Sequence, residues 1–342
     1  RNKLRYRLKV CSYLTANMNK KLKDSLLKQH YRIIGNHSSV KICEWTKKSL
    51  VDKGVCFKQK FYGIKSHRCV QMSPASVFCQ NKCIHCWRAI ELTDDKKMNK
   101  NLIDNPKEII KQCIESQKKL LIGFKGFKNT NKKKYKEAQE PMQFAISLTG
   151  EPTLYPKLGE LISELRKRGK TTFVVTNGLM PAVLSELNKE KNLPTQLYLS
   201  LNTPNKEMYD KWHRSSEKQA WKKFNETLAL FLKLKTRKVI RMTLVKDLND
   251  KDEYISEFAR LIKKAMPDFI EIKSYMAIGF SRYRKGMGYD KMLSHNEIKD
   301  YSKKLVKELK KEKYKILDSH KLSRVVLIGK DKKRMKIQKN QI

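Results

Sequence analysis

The chain has 342 residues, 39% of them apolar, which suits one large α/β domain or two ordinary ones and a core that needs no disulfide staples. No run of eighteen apolar residues occurs, and the basic N-terminal stretch leads into no apolar segment or cleavage site; the expectation is therefore a protein without a membrane-spanning helix, unsecreted and cytoplasmic. Seventy-seven Lys and Arg against 34 Asp and Glu leave +43, which reflects either a general lysine-rich bias or a polyanionic partner whose phosphates would give up condensed counterions.

Leu22, Leu26, Leu27, Tyr31 and Ile34 recur at helical spacing, and Ser38 or Ser39 is placed to cap a second helix ending near Gly54. Cys43 would lie on that helix and Cys56 just beyond it. HRCVQMS (67–73) reads as a short strand broken by Pro74. Strands rich in β-branched and aromatic residues follow at 143–149, 171–176, 196–201, 239–245 and 269–275. Amphipathic helices near 157–168, 180–189, 217–234 and 253–265 separate them. Apolar strands alternating with helices predict a parallel sheet covered by helices, either doubly wound or a β/α barrel, and six such units fit a partial barrel. Function in both folds gathers at the C-terminal strand ends.

Polar residues and glycines cluster at those ends: the loop CQNKCIHC (79–86), TGEPT (149–153), NGLMP (177–181), Ser200 and Asn202, and AIGFSRYRKGMG (277–288). A basic insertion with interleaved aromatics, KGFKNTNKKKYK (125–136), and the tail DKKRMKIQKNQI (331–342) read as solvated segments.

Eight cysteines stand at 11, 43, 56, 69, 79, 83, 86 and 113. Without secretory signals, disulfides are the weaker explanation. The six from 43 to 86 are spaced 13, 13, 10, 4 and 3, which suggests one wide and one tight ligand set. Three accounts fit the tight set. Cys79, Cys83 and Cys86 at i, i+4 and i+7, continued by Ile90, make one face of a helix on which thiols serve as small hydrophobes. Zinc would need a fourth ligand, Cys69 or His85. An iron–sulfur cube held by three thiolates leaves one iron open to a substrate or cofactor.

The spacing C-x3-C-x2-C, in the loop after the first strand of a β/α fold, resembles the radical S-adenosylmethionine superfamily. With it, RCVQMSP (68–74), CWR (86–88), TGEPTLYP (149–156) and GFSRYR (279–284) resemble the tRNA 4-demethylwyosine synthases of wybutosine formation, over roughly 40 to 330 and without the flavodoxin-like module of eukaryotic relatives. The resemblance implies an α/β fold: a partial (β/α)6 TIM-like barrel at 61–275, an N-terminal helical extension at 1–60 and a C-terminal α/β extension at 276–342 that binds tRNA.

It also implies two 4Fe–4S clusters and S-adenosylmethionine. Cys79, Cys83 and Cys86 would hold the first cluster. The backbone carbonyl of Gly150 and the carboxylate of Glu151 suit the methionine ammonium, while Asn177, Ser200 and Asn202 would touch its ribose or carboxylate. Cys43, Cys56 and Cys69 would hold a second cluster whose open iron takes pyruvate, and Lys58 would form a Schiff base with the pyruvate ketone. The implied reaction begins with an adenosyl radical that abstracts hydrogen from the N1-methyl group of N1-methylguanosine beside the anticodon of phenylalanine tRNA. Carbon–carbon bond formation to pyruvate, loss of its carboxyl and ring closure follow. Arg282 and Arg284 at the rim, with the basic insertion, are expected to grip the tRNA, and His295 is expected to begin a helix. An external flavodoxin- or ferredoxin-like donor and a monomeric state complete the expectation. An RNA methyltransferase or methylthiotransferase would share only the tight cysteine set, and a zinc-stapled RNA-binding protein would share the charge without the chemistry.

Overall fold

A computed structural model describes residues 20–93 and 98–342, so Cys11 lies outside the described residues. Helix α1 (Lys20–Lys28) buries Leu22 and Leu26, but the chain turns at His30, which adopts φ 63°, and the Tyr31 N–H closes back on the Leu26 carbonyl. Arg32–Ile34 (β1) and Ser38–Lys41 (β2) form an antiparallel hairpin. The expected helical run to Ile34 and the expected cap at Ser38 or Ser39 are therefore corrected. The hairpin prevails because Asp104, distant in sequence, binds its turn: the Asn36 backbone N–H and side-chain amide each donate to that carboxylate at 2.8 Å.

Helix α2 (Glu44–Leu50) and helix α3 (Phe57–Tyr62) follow. Cys43 and Cys56 each occupy the extended residue immediately before one of these helices, so Cys43 introduces its helix instead of lying on it. The parallel sheet then begins. Strands β3 (Cys69–Ser73), β4 (Gln143–Ile146), β5 (Thr171–Thr176), β6 (Gln196–Ser200), β7 (Arg237–Leu244) and β8 (Phe269–Ser274) pair in chain order, as the residue pattern predicts. Between them run α4 (Pro106–Leu121), α5 (Lys132–Ala138), α6 (Leu158–Lys167), α7 (Pro181–Lys189), α8 (Lys206–His213), α9 (Ala220–Phe231) and α10 (Ile255–Ala265). After α11 (His295–Glu308), β9 (Lys315–His320) and β10 (Val325–Gly329) extend the sheet antiparallel beside β8. The order β1-β2-β3-β4-β5-β6-β7-β8-β10-β9 is a partial β/α barrel with an antiparallel hairpin at each edge.

Side-chain alternation divides the sheet into two faces. Val70, Phe144, Val174, Leu197, Ile240 and Ile270 face outward under the helices in one large apolar core. Phe173, Tyr198, Val239 and Phe269 face inward and meet Phe57, Phe61 and Tyr62 of α3, which floor the barrel. Above that floor the inward-facing Gln71, Val175, Ser200, Arg241, Thr243 and Lys273 are only half-buried. They line a lumen that opens at the C-terminal strand ends. No helix among the described residues is long and apolar enough to cross a membrane.

Two segments expected to be solvated are packed. In the insertion, Asn131 caps α5, Asn131 and Lys134 both bind Asp52, and Tyr135 packs on the cluster of Ile42, Leu50, Leu121 and Ala138. In the tail, Met335 is 4% exposed and joins the barrel floor. Arg237 holds it by donating to the carbonyls of Arg334 and Met335 at 2.9 and 2.7 Å. Both segments are rich in charge by composition, yet each carries an apolar anchor, Tyr135 in the insertion and Met335 with Ile337 in the tail, and meets partners far away in sequence.

Candidate active site

The stretch between Ser73 and Ile90 contains no helix, which removes the helical-stripe account of Cys79, Cys83 and Cys86. An irregular loop carries them over the barrel mouth. The C-terminal end of α8 and the segment after it hold the loop from one side: the Lys82 and Ile84 N–H groups donate to the carbonyls of His213 and Trp212, and the Ser216 N–H donates to that of Gln80. Arg284 holds it from the other side, its guanidinium donating to the carbonyls of Ile84, Cys86 and Arg88. This corrects the expectation that Arg284 grips tRNA, for its donors are spent on those carbonyls and on the Glu91 carboxylate, which accepts from Nε at 3.2 Å. Arg282 remains exposed, resting on the ring of Tyr283, itself 73% exposed.

Polar groups stand at all three sulfurs. Arg88 Nε donates to Cys86 Sγ at 3.1 Å, His213 Nδ1 lies 3.1 Å from Cys83 Sγ, and Asn177 Nδ2 is 3.9 Å from Cys79 Sγ. Burial pushes the Cys79 and Cys83 thiols above their ordinary range, Arg88 opposing it for both. Burial also lowers His213 to about 3, leaving its ring neutral.

After β4, Gly150 adopts φ 70°, and a Cβ there would lie 1.7 Å from the Ala75 carbonyl oxygen. This close approach brings Glu151, 2% exposed, under the cysteine loop. Its carboxylate accepts from Thr153 N, Thr153 Oγ1, Thr176 Oγ1 and Asn177 N at 2.7 to 3.2 Å, all neutral donors. Burial raises its pKa, those hydrogen bonds opposing the shift. A buried carboxylate with no cationic partner among the described residues is suited to an external cation. Asn177 also donates to Gln80 Oε1, and Ser200 faces the lumen half-buried. Asn202 is 4% exposed and its Oδ1 accepts from the Thr243 N–H, which ties β6 to β7.

The wide cysteine set lies deeper. The β2–β3 register pairs Ser39 with Ser73 and Lys41 with Gln71, two residues short of Cys43 and Cys69, and the charges of Cys43 and Cys56 both act on Cys69. Cys69 begins β3 and the tight loop follows its end, so strand rise separates the two levels by roughly 13 Å. Lys58, 8% exposed, lies 5.0 Å from the Phe173 ring and 5.5 Å from that of Tyr198, and its charge acts on both Cys56 and Cys69. Burial pushes Cys56 to about 11 and Cys69 to about 12, with Lys58 opposing it in each case. Helix α5 braces this region through Glu137, which accepts from Lys65 and pairs with His67.

The seven described cysteines are all free. Cys113 is fully buried in the core beneath α4 and packs as a hydrophobe. Of the two fourth ligands of the zinc account, Cys69 is a strand-length away, and the Nδ1 of His85 is engaged, accepting from Trp212 Nε1. Among the described residues no three His, Cys, Asp or Glu side chains already close on one point, so each set is a group of neighbouring thiols and not a finished ligand shell. The donor chemistry of both sets suits an iron–sulfur cluster: three thiols apiece, mutual electrostatic contact within each, and a cation beside each to offset thiolate charge.

Three closely spaced thiols at the mouth of such a barrel define a radical S-adenosylmethionine enzyme, and residues 73–259 match the model of the Radical SAM superfamily. Residues 264–330 match that of Wyosine base formation. The chain is 45% identical to the S-adenosyl-L-methionine-dependent tRNA 4-demethylwyosine synthase of Pyrococcus abyssi, over 94% of this chain and 92% of that protein. It is 34% identical to the human synthase, over 90% of this chain and 41% of that longer protein. A solved structure of TYW1 with a lysine-pyruvate adduct bound superposes with TM-score 0.80 and 36% identity, over 94% of this chain and 99% of that one. The chain belongs to the tRNA 4-demethylwyosine synthase family, and with it to the enzymes that use S-adenosylmethionine and an iron–sulfur cluster.

Some lumen residues escaped sequence reasoning. Arg241 donates to Glu271 at 2.8 Å while its guanidinium lies 4.3 Å from the Tyr198 ring, and Tyr62 OH also donates to Glu271. Lys273 stands two residues further along β8, its ammonium pulled down first by burial and then by Arg241. The available signal was three charges inside apolar strands, VIRMTLV and FIEIKSY.

Proposed function

We propose that the chain condenses N1-methylguanosine of phenylalanine tRNA with pyruvate to form 4-demethylwyosine, using two 4Fe–4S clusters in one lumen. The observation that carries this reading is the pair of three-thiol sets at two depths of the barrel, with Lys58 beside the deeper one. Clusters bound at Cys79, Cys83 and Cys86 and at Cys43, Cys56 and Cys69 would supply, respectively, the electron that cleaves S-adenosylmethionine and a Lewis-acidic iron for the pyruvate carboxylate.

The chain's own groups then have distinct tasks. Glu151, satisfied only by neutral donors, is available to the methionine ammonium, with the Gly150 carbonyl beside it. Asn177 and Ser200 face the same space and suit ribose or carboxylate; Asn202 contributes chiefly by fixing the strand ends. Lys58 presents an amine from a ring-lined wall to a ketone, the reaction class named for the TYW1 relative with its lysine-pyruvate adduct. At the rim, Arg282 and the exposed Tyr283 offer a cation and a stacking ring to a purine splayed out of the anticodon loop, and the basic surface takes the phosphates. A cytoplasmic monomer supplied with electrons by an external protein donor fits this reading, as does a division into 1–60, 61–275 and 276–342.

Turnover tests it directly. Reduced, reconstituted protein incubated with methylated tRNA, pyruvate and S-adenosylmethionine should give the tricyclic base on digestion and mass analysis, and about eight irons per chain. Zinc with no iron chromophore after reconstitution would sink the reading. Borohydride with labelled pyruvate should tag the wild type and Lys273→Ala but not Lys58→Ala; labelling lost only in Lys273→Ala would move the imine to that lysine.

A further inference from the structure

Arg88 follows the last cysteine of the tight set by two residues and is 7% exposed. Nε donates to Cys86 Sγ at 3.1 Å and Nη2 donates to the Asn81 carbonyl at 2.7 Å, while Nη1 is buried without a partner among the described residues. The charges that act most strongly on this guanidinium are those of Cys79, Cys86 and Cys83. A buried cation is costly unless an anion meets it. Here the side-chain partner that meets the Arg88 guanidinium is a sulfur of the tight cysteine set. Its placement is enforced, since Arg284 donates to the Arg88 carbonyl at 2.8 Å and to two further carbonyls of the loop.

We propose that Arg88 is a positioning residue for the first cluster, its buried guanidinium donating to the Cys86 thiolate and raising the potential at which the cluster accepts its electron. The proposal rests on the reading that Cys79, Cys83 and Cys86 hold a 4Fe–4S cluster. The step is a one-electron reduction by an external reductant, dithionite in the assay, in which no bond is made or broken and no proton moves. A doubly positive core with three thiolates carries one net negative charge before the step and two after it. A fixed cation therefore stabilises the reduced state more than the oxidised one, and hydrogen bonds to cluster sulfur act in the same direction.

The test is an EPR-monitored redox titration of reconstituted wild type, Arg88→Lys and Arg88→Gln, with the first cluster recognised by the change S-adenosylmethionine makes in its signal. Arg88→Gln should lose at least tenfold in the reduction equilibrium, which is about 59 mV more negative for a one-electron couple. Arg88→Lys keeps the charge without the planar fork and should fall between the two. Equal potentials in wild type and Arg88→Gln overturn the proposal. If Arg88→Gln does not load iron, Arg88→Lys decides: loading at a potential more negative than the wild type's supports the proposal, and loading at the wild-type potential or failure to load overturns it. Absence of any cluster signal in the wild type would instead sink the cluster reading on which the proposal rests.

Discussion

Gly150→Ala isolates the close approach that joins the cysteine loop to the second strand end. The added Cβ would meet Ala75 O at 1.7 Å, Ala75 C at 2.8 Å and Phe78 O at 2.9 Å, all backbone atoms that cannot swing aside. The φ of 70° adds the cost of a left-handed residue. Gly169 supplies an internal reference, because its φ is 64° and nothing lies within 4 Å of its added Cβ. Gly169→Ala should thus show the backbone cost alone, about 1–2 kcal/mol. Gly150→Ala adds overpacking of about 1–3 kcal/mol, for a total of about 2–5 kcal/mol. An unfolding entropy of about 2.1 cal/mol/K per residue over 342 residues makes 1 kcal/mol worth about 1.4 °C. The expected falls in Tm are about 1–3 °C for Gly169→Ala and about 3–7 °C for Gly150→Ala. Because residues 75–78 lead directly into Cys79, relief of the clash displaces the loop, and Gly150→Ala should also load less iron while Gly169→Ala loads normally. Thermal unfolding followed by circular dichroism, with iron analysis after reconstitution, makes the comparison. Equal Tm and equal iron in the two variants would refute the reasoning.

Glu151→Gln removes a charge that only neutral groups satisfy, so the fold should tolerate it within about 1 kcal/mol while the bond to a cationic ligand is lost. S-adenosylmethionine should bind about ten- to a hundredfold more weakly to the reconstituted protein by anaerobic calorimetry, and unchanged affinity would remove Glu151 from the site. Met335→Ala should lower stability by about 2–4 kcal/mol in denaturant titration, whereas a silent substitution would mean that the tail does not floor the barrel. At the start of α11, hydrogen bonds from Ser294 and then Lys246 hold the Glu297 carboxyl down to about 2. A carboxyl lowered on folding stabilises above its unfolded pKa of about 4.3 and loses that contribution as pH falls through about 2. The side chain is 40% exposed, so the effect is small and salt-sensitive. Ser294→Ala should raise the Glu297 midpoint in an NMR titration; an unmoved midpoint contradicts the cap.

The six parallel strands and the helices between them were legible because local periodicity carries that information: QFAISLT, TTFVVT and QLYLSL are buried on both faces and read as unbroken apolar runs. The cysteine spacing was legible for a chemical reason, since a cluster needs thiols at set intervals whatever surrounds them. His295 begins its helix as expected, behind the cap at Ser294. The hairpin at 32–41, the docked insertion and the docked tail were not legible. Each depends on a partner remote in sequence, Asp104, Asp52 and Arg237 respectively, against a local composition that points elsewhere.

Arginine shows the same division. By composition Arg282 and Arg284 are two equivalent cations on a basic rim, and only the fold spends Arg284 on three carbonyls near 200 residues away while leaving Arg282 exposed. Likewise the sequence alone determined that thiols, a rim carboxylate and an excess of cations exist in this chain, because residue type and short-range spacing state them directly. Tertiary structure decided which of 77 basic residues faces a sulfur of the loop and which lysine lies beside the deeper thiols. Those assignments are matters of distance and burial, and a charge acquires chemical meaning only when desolvation and its neighbours are known.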